Sequence, residues 1–378
     1  MYLKTLHLSR FRNYRDREVK FDAQKTIVVG NNAQGKSNLL EAVELLATLK
    51  SHRTSRDRDL VRDGDEVARI RATVKRHYGE TDLAIAIRKQ GRRVVTRNSE
   101  NLRRQIDFLG AVNAVQFSSL DLDLVRGSPD SRRSWVDSLL TQLEPIYAHI
   151  LQQYNHVLRQ RNALLKKIRN LEENPPNRDL ISQLALWDSQ LAAHGSRVTR
   201  RRARVLERLA PIARAWHRQI SGATEILHIQ YAPNVAPSFR EPEQVQQAFL
   251  EKIQQRRIAE QNLGTTVVGP QRDEVDFIIN DTPARSYGSQ GQQRTLVLAL
   301  KLAELKLIEE IVGEPPLLLL DDVLAELDPN RQNQLLEAIQ DRFQTIITTT
   351  HIHSFDAQWL QNSQILTIEA GNIQPYAF

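Results

Sequence analysis

The hydrophobic pattern of the first hundred residues alternates between strand and helix periods. Alternating apolar residues predict strands over Tyr2–Leu8 and Arg17–Phe21, and the β-branched run Lys25–Val29 predicts a buried strand. Apolar residues then recur at helical spacing in Asn38–Leu46. Three further stretches alternate apolar with polar residues and predict a small antiparallel sheet with one solvent-exposed face: Glu66–Arg76, Thr81–Arg88 and Arg92–Thr96.

The middle of the chain, from about residue 118 to about residue 262, has a mainly helical pattern. Apolar residues in Ile146–Glu173 lie close to a repeat of about 3.5 residues, and a second apolar stripe begins near Asp179. Between them, Asn174–Asn177 contains two prolines, which a continuous helix cannot cross. The pattern predicts an antiparallel helical hairpin, a short coiled-coil-like arm. Pro211 is expected to break the second helix or to start another.

The remainder of the chain returns to strands that alternate with helices. The predicted helices include Pro242–Gln261 and a long amphipathic one, Thr295–Ile311. Short apolar runs predict strands at Glu225–Tyr231, Val275–Ile279, Leu317–Leu320, Thr345–Thr350 and Ile365–Ile368. This alternation is typical of an α/β protein.

Composition narrows the class of protein. The chain of 378 residues is long enough for two domains, or for one large domain with an insertion. It has no cysteine, which excludes disulfides, zinc–cysteine sites and thiol catalysis and fits a cytoplasmic location. No stretch approaches the roughly 18 apolar residues of a membrane span, and Met1–His7 has the pattern of a strand, not of a signal peptide.

Positive charge is concentrated in one segment of a basic chain. The formal net charge is +7, and arginines (40) outnumber lysines (12). Arg197–Arg218 contains eight arginines and a single acid, Glu207, whereas a face that serves only solubility normally mixes both signs. Such a face suits a phosphate-rich partner; a solvated outer face and a GC-rich genome are the alternatives. The candidate DNA contacts are Arg200, Arg201, Arg204 and Arg208.

The strongest chemical signal is a G-x-x-x-x-G-K-S motif between the predicted strand Lys25–Val29 and the predicted helix Asn38–Leu46. The backbone N–H groups at a helix start of this kind bind anions. In such a motif, Lys36 is expected to contact the β- and γ-phosphates and the Ser37 hydroxyl to ligate Mg²⁺. From average residue usage, about one chain in a hundred of this length would contain the motif by chance. The candidate nucleotide-binding residues are Gly30, Asn31, Asn32, Ala33, Gln34, Gly35, Lys36, Ser37 and Asn38.

A second signal is an apolar strand that ends in two carboxylates, Leu317–Leu320 followed by Asp321 and Asp322. This is the Walker B arrangement, in which a buried strand carries an acid to the edge beside the phosphate-binding loop. Asp321 is expected to hold Mg²⁺, and Asp322 to orient and polarise the attacking water. The alternative is that the two acids cap a helix N-terminus.

A third signal is a second glycine-rich turn, which opens the predicted helix Thr295–Ile311. It offers another helix N-terminus for an anion, although serine and glycine also occur there as ordinary caps. Its candidate nucleotide-binding residues are Ser289, Gln290, Gly291 and Gln292. The order of these motifs resembles that of the ABC-type ATPases. Glu326–Asp328 is similar to their D-loop, with Glu326 a further candidate catalytic residue, and His351 is similar to their switch histidine.

Within that superfamily, the chain resembles a family of ATPases that mediate recombination and DNA gap repair. The matching segments are Leu8–Tyr14, Asn32–Asn38, Leu124–Pro129, Arg132–Asp137, Gly269–Asp273 and Leu320–Asp328. The resemblance implies an ABC-type α/β ATPase head with an antiparallel β layer, formed by residues 1–117 and 263–378. It also implies that residues 118–262 form an inserted helical lobe.

The same resemblance implies a function. ATP and Mg²⁺ would drive homodimerisation, with two ATP molecules held between the Walker residues of one chain and Ser289–Gln292 of the other. The dimer would bind single-stranded and gapped duplex DNA, hydrolyse ATP weakly, and work with RecR and RecO to load RecA, with roles in replication and the SOS response. Two rivals are a transporter ATPase, which needs a membrane partner, and an SMC-type chromosome-organising ATPase. The latter needs coiled coils of hundreds of residues, and this arm spans 73, Ile146 to Arg218.

Overall fold

The computed structural model describes residues 1–170, 178–235, 241–339, 342–352, 355 and 357–376, and only the backbone at residues 326, 357 and 358. The strands are β1 (Tyr2–Phe11), β2 (Tyr14–Lys20), β3 (Lys25–Val29), β4 (Val67–Arg76), β5 (Gly79–Arg88), β6 (Val94–Arg97), β7 (Glu100–Asn101), β8 (Ala114–Ser118), β9 (Leu227–Ala232), β10 (Glu274–Ile279), β11 (Thr282–Pro283), β12 (Leu317–Asp321), β13 (Thr345–Thr349), β14 (Ser363–Glu369) and β15 (Asn372–Pro375). The helices are α1 (Lys36–Thr48), α2 (Asp123–Arg126), α3 (Pro129–Leu143), α4 (Ile146–Asn170), α5 (Arg178–Ile220), α6 (Pro242–Leu263), α7 (Ala284–Tyr287), α8 (Gln290–Val312), α9 (Pro329–Ile339) and α10 (Ala357–Gln361).

The chain forms two compact units. The head unit comprises residues 1–122, 215–225 and 290–378, and the helical unit comprises residues 123–214 and 226–289. The sequence-based boundary near residue 263 therefore differs from the start of the last head segment at residue 290. The reason is that β10, which follows residue 263, pairs with β9 at six positions in a three-stranded antiparallel sheet, β11-β10-β9. Segment 226–289 is held together by this pairing.

A mostly parallel sheet forms the centre of the head unit, in the strand order β15-β14-β3-β13-β12-β8. Strand β13 pairs in parallel with β3 on one side and with β12 on the other, so the carboxyl ends of β3 and β12 lie at the same edge of the sheet. The four leucines of β12 are fully or almost fully buried, as a strand covered on both faces requires. This edge is where the glycine loop and the two acids emerge.

An antiparallel sheet, in the order β2-β1-β4-β5-β6-β7, forms a second layer of the head unit. Helix α1 contacts β5 of this sheet and β8, β12 and β13 of the parallel sheet. Residues of both sheets and of α1, among them Leu6, Leu40 and Leu319, belong to one hydrophobic core. The predicted α/β head with an antiparallel layer is confirmed.

The helical unit contains the predicted arm. Helices α4 and α5 pack through a small hydrophobic cluster: Leu164, Leu165, Ile168, Leu180 and Leu184. The predicted proline turn Asn174–Asn177 lies outside the described residues. The expectation that Pro211 breaks the helix is wrong, because α5 continues through it. Pro211 is exposed while Leu209 and Ala213 beside it are buried, so packing maintains the helix and water can satisfy the freed carbonyl. Within the described ranges, no helix is apolar and long enough to span a membrane.

Candidate nucleotide-binding site

The glycine loop connects β3 to α1 in the conformation that its residue types allow. Gly35 has φ +118°, a region that L side chains rarely adopt, and it is the N-cap of α1. Gly30 requires glycine for a different reason, since a Cβ atom there would lie 2.5 Å from the carbonyl oxygen of Ile368. Both glycines of the motif are therefore demanded by the local structure. Asn31, Asn32 and Ala33 between them are exposed, as a loop that receives a ligand should be.

Two distant segments support this loop, and sequence reasoning did not identify either as part of the site. From the turn between β1 and β2, the Asn13 side chain donates a hydrogen bond to the Gln34 carbonyl (2.8 Å), and the Tyr14 hydroxyl donates to the Gly35 carbonyl (2.8 Å). Asn38 in turn donates to Asn13 Oδ1 (2.9 Å). From the turn between β14 and β15, the Gly371 amide also donates to the Gln34 carbonyl (3.0 Å). These hydrogen bonds fix the position of the loop backbone.

Lys36 lies within the loop with its side chain buried. Its ammonium group donates to the carbonyl oxygens of Gly30 (2.6 Å) and Asn31 (3.2 Å), and it lies 3.8 Å from a carboxylate oxygen of Asp322. The predicted phosphate-binding lysine and one predicted catalytic acid are therefore brought together. The cation is positioned where phosphate oxygens of a bound nucleotide could replace the carbonyl contacts.

Ser37 and Asp321, the predicted Mg²⁺ ligands, are also adjacent. The Ser37 hydroxyl donates to Asp321 Oδ1 (2.9 Å), and the Thr348 hydroxyl at the end of β13 donates to the same oxygen (2.7 Å). Mg²⁺ prefers oxygen ligands and is usually held by one or two carboxylates together with substrate phosphates. The pair fits that requirement, and the described part of the chain has no cluster of three or more acidic or histidine side chains that could hold a metal unaided. Thr348 is a further site residue that the sequence did not single out.

Asp322 has an unusual environment directly after β12. Its backbone is in the left-handed region (φ +54°), and its amide donates to Thr348 Oγ1 (3.0 Å). It occupies the N-cap position of a short 3₁₀ turn, yet its side chain makes no capping hydrogen bond, which removes the support for the helix-cap alternative. Burial raises its pKa, as does the charge of Asp321, while Lys36 and His351 oppose the shift. Its Oδ1 is buried and has no hydrogen-bond partner among the described residues.

The predicted second glycine turn lies at the start of α8, with Ser289 directly before the helix and Gln290, Gly291 and Gln292 in its first turn. Arg331 on α9 joins this turn to the segment that resembles a D-loop. It donates to the Gly291 carbonyl (3.1 Å) and to Thr295 Oγ1 (2.9 Å), and it pairs with Asp328.

The other two predicted site residues, Glu326 and His351, follow strands β12 and β13 within a few residues along the sequence. Glu326 ends a 3₁₀ turn that begins at Val323, and its side chain lies outside the described residues. His351 is exposed, and its backbone amide donates to Thr349 Oγ1 (3.2 Å). Its charge acts on Asp322, as described above.

The four candidate DNA-contacting arginines of α5 differ in exposure. Arg204 and Arg208 are exposed, whereas Arg200 is partly buried. Arg201 is partly buried and pairs with Glu144 at 3.1 Å. The intervening Arg202 is buried and forms ion pairs with Asp137 and Asp273. Helical geometry therefore divides one arginine run between the surface and the interior.

Comparison with known proteins agrees with this geometry. The family model described as RecF/RecN/SMC N terminal domain matches residues 2–372. The DNA replication and repair protein RecF of Rippkaea orientalis is 71% identical over 99% of this chain and 100% of its own length, and that of Nostoc punctiforme is 68% identical over 99% and 100%.

Solved structures give the same result. One of the recombination mediator protein RecF with ATP in the RecFOR pathway is 32% identical, covers 100% of this chain and 98% of its own, and superposes with a TM-score of 0.91. An Smc head domain from Pyrococcus furiosus is 15% identical, covers 100% and 96%, and has a TM-score of 0.54, which shows only a shared fold. The chain therefore belongs to the RecF family.

Proposed function

We propose that this chain is an ATP-dependent DNA-binding protein of recombinational gap repair. The observation that carries the proposal is the pairing of Lys36 with Asp322 and of Ser37 with Asp321 at one edge of the parallel sheet. The relatives support the biological setting, since they are named as DNA replication and repair proteins and a similar solved structure contains ATP.

The head residues would divide the ATPase reaction between them. The loop Gly30–Gly35 and Lys36 would bind the phosphates, and Ser37 and Asp321 would hold Mg²⁺, which supplies positive charge against the phosphate oxygens. Asp322 has a free carboxylate oxygen and would orient and polarise the water that attacks the γ-phosphorus. Burial raises the pKa of Asp322, and a carboxylate with a raised pKa is a better proton acceptor than an ordinary aspartate.

A second copy of the chain would complete each site. Ser289–Gln292 of one protomer would contact the ATP held by its partner, so ATP would hold two chains together as a clamp on DNA near junctions of single and double strands. Arg204 and Arg208 are exposed and would contact phosphates. With RecR and RecO, the clamp would promote RecA loading, in replication and in the SOS response, and slow hydrolysis would release it.

Size-exclusion chromatography with light scattering, with and without ATP and gapped DNA, tests the proposal. We expect a monomer without ATP and a dimer with it. Lys36→Ala should remain monomeric, and Asp322→Asn should accumulate the dimer because it binds ATP but hydrolyses it slowly. A mass that does not respond to ATP in the unmodified chain would contradict the clamp.

Mixing two inactive variants tests the shared site. Lys36→Ala removes the phosphate-binding cation, and Ser289→Arg should block the partner's phosphate pocket. Neither variant alone forms a dimer held by ATP, whereas a heterodimer has one intact site of two. Hydrolysis by the mixture should therefore recover to at most about half of the wild-type rate if the sites are independent. Normal hydrolysis by Ser289→Arg alone would refute the arrangement.

A further inference from the structure

The exposed face of α4 carries cations and amides but no carboxylate. This helix of 25 residues contains five lysines and arginines and no aspartate or glutamate. Its exposed side chains recur at helical spacing and so lie along one face. They include Gln152, Asn155, Arg159, Ala163, Lys166 and Asn170, with Lys167 beside them.

Arg161 shows what a structural role looks like for a cation on this helix. Arg161 is fully buried, and the fold supplies it with two carboxylates, Asp188 at 2.8 Å and Glu260 at 2.5 Å. Among the residues that the structure describes, none of Arg159, Lys166 and Lys167 has a carboxylate within 4 Å. Arg159, Lys166 and Lys167 therefore differ from Arg161 in having no partner supplied by the described fold, whereas Arg169 donates to the Leu263 carbonyl.

The first turn of α4 lies near the start of the arginine series of α5. Burial lowers the pKa of His194 on α5, and the charges of Arg197 on the same helix and of His149 on α4 lower it further. His149 and Arg197 therefore each lie within electrostatic range of His194, at the end of α4 away from Lys166. His149 and Arg197 are both exposed. Each helix therefore places one exposed basic residue near His194.

We propose that Gln152, Asn155, Arg159, Lys166 and Lys167, here called the α4 track, contact the phosphate backbone of nucleic acid and extend the α5 site along the arm. The inference rests on the DNA binding proposed above and specifies its extent. From Gln152 to Lys167 the helix rises about 22 Å at ~1.5 Å per residue, which matches roughly six base pairs at ~3.4 Å each.

The character of the track favours nucleic acid over an acidic protein. Protein interfaces depend on buried apolar and aromatic anchors. Residues 152–170 expose no large apolar side chain. Cations interspersed with amides are instead the groups that contact phosphate and sugar oxygens.

The test uses the full chain and compares three charge-removing variants. The α4 variant is Arg159→Gln, Lys166→Gln and Lys167→Gln, which keeps good helix formers in place. The α5 variant is Arg197→Gln, Arg204→Gln and Arg208→Gln, which removes three exposed charges of the series. The control removes three exposed arginines of the head unit, Arg15, Arg92 and Arg103, each replaced by Gln.

Affinity for a 20-base-pair duplex and for a single strand of equal length is measured at several salt concentrations. We expect the α4 variant to make the slope of log affinity against log salt less steep by up to about 2.7, since each lost phosphate contact removes about 0.9. The control should keep the wild-type slope. The charge-conserving variant Arg159→Lys, Lys166→Arg, Lys167→Arg should also keep it, which would show that charge is responsible.

The outcomes separate this inference from the proposed function. A wild-type slope in the α4 variant, with a flattened slope in the α5 variant, overturns the α4 track and leaves DNA binding intact. If the α4 variant keeps the wild-type salt slope but binds poly-glutamate more weakly than the unmodified chain does, the track would instead be a surface for acidic proteins. If the unmodified chain binds neither DNA probe, the proposed function itself fails.

Discussion

The two units of this protein each contain a buried cation close to an aspartate, and they differ in how much hydrogen-bonding capacity is left unused. In the helical unit, Arg202 donates to Asp137 Oδ1 and Oδ2 (both 2.9 Å) and to Asp273 Oδ2 (3.1 Å). The hydroxyls of Tyr147 and Tyr231 donate to the two carboxylates. We call these five residues the Arg202 cluster. Its donors and acceptors face one another, and all of its residues except the partly buried Tyr231 are almost entirely excluded from solvent.

In the head unit, the corresponding groups are Lys36, Asp321 and Asp322. Lys36 bonds mainly to backbone carbonyls, the Asp322 side chain is 38% exposed, and its buried Oδ1 has no partner among the described residues. Buried polar groups normally have hydrogen-bond partners. A carboxylate oxygen without a partner at the edge of the sheet therefore indicates a site for a ligand. A closed cluster such as that of Arg202 contributes to the fold instead.

The largest effect, a loss of folding stability, should come from breaking the Arg202 cluster. Arg202→Met leaves Asp137 and Asp273 buried without their cation, and removing one partner of a buried pair costs about 3–5 kcal/mol. Urea denaturation and hydrogen exchange of the β10 amides measure the loss. The neighbouring control, Arg201→Gln, breaks a more exposed pair and should cost less than about 1 kcal/mol. Equal losses of stability in the two variants would mean that the Arg202 cluster contributes no more to stability than the exposed pair of Arg201 and Glu144.

In the head unit, Asp322→Asn should slow ATP hydrolysis by about 10²-fold or more. Nucleotide affinity should be retained, because Lys36, Ser37 and Asp321 are unchanged, and the free energy of unfolding should hardly differ. Single-turnover hydrolysis and nucleotide titration measure the two effects. Hydrolysis close to the wild-type rate would remove Asp322 as the group that activates water, and Glu326 would be tested next.

A smaller effect is expected from Arg331→Gln, because Arg331 positions other groups. It joins Asp328 to the first turn of α8 through Gly291 and Thr295, and the loss of one charged hydrogen bond of about 1.5 kcal/mol corresponds to roughly a tenfold change. We expect dimer-dependent hydrolysis to fall about tenfold while nucleotide binding by the monomer is unchanged. Arg331→Lys should restore part of the activity.

The matched control is Arg342→Gln, which breaks an ion pair to Glu309 near the other end of α8. It should leave dimer-dependent hydrolysis unaltered. A similar loss in both variants would show that Arg331 matters for helix packing and not for the position of the α8 turn.

The smallest effect on stability is expected from the partly buried ion pair of His52 and Glu44. His52 lies 2.7 Å from Glu44 of α1, and although burial lowers its pKa, the hydrogen bond and charge of Glu44 raise it by more. Folding therefore favours the protonated form, so the stabilisation is complete below the unfolded pKa of about 6.5 and is lost as the pH rises through the folded pKa. His52→Gln should lower stability by under about 1 kcal/mol at pH 5.5 and by less at pH 8.5. A loss that does not depend on pH would contradict this account.

The chemistry of the candidate site was readable from the sequence because it depends on short spacings. Gly30 to Ser37 places a cation and a hydroxyl at the start of a helix, and Leu317–Leu320 carries two acids to the end of a buried strand. Parallel pairing with β13 then brings these ends together at one edge, as the predicted α/β fold requires. Hydrophobic periodicity likewise identified the antiparallel layer and the helical arm.

Contacts between residues far apart in the chain were decided only by the tertiary structure. Asn13, Thr348 and Gly371 support the site from segments whose sequence does not show that they meet the loop or the acids, because their hydrogen bonds depend on which strand lies beside which. Arg201 and Arg202 are chemically identical neighbours, yet a turn of about 100° per residue places one beside Glu144 near the surface and the other among buried carboxylates. Local spacing therefore determined the reactive groups, and packing determined which charges remain free to meet a ligand.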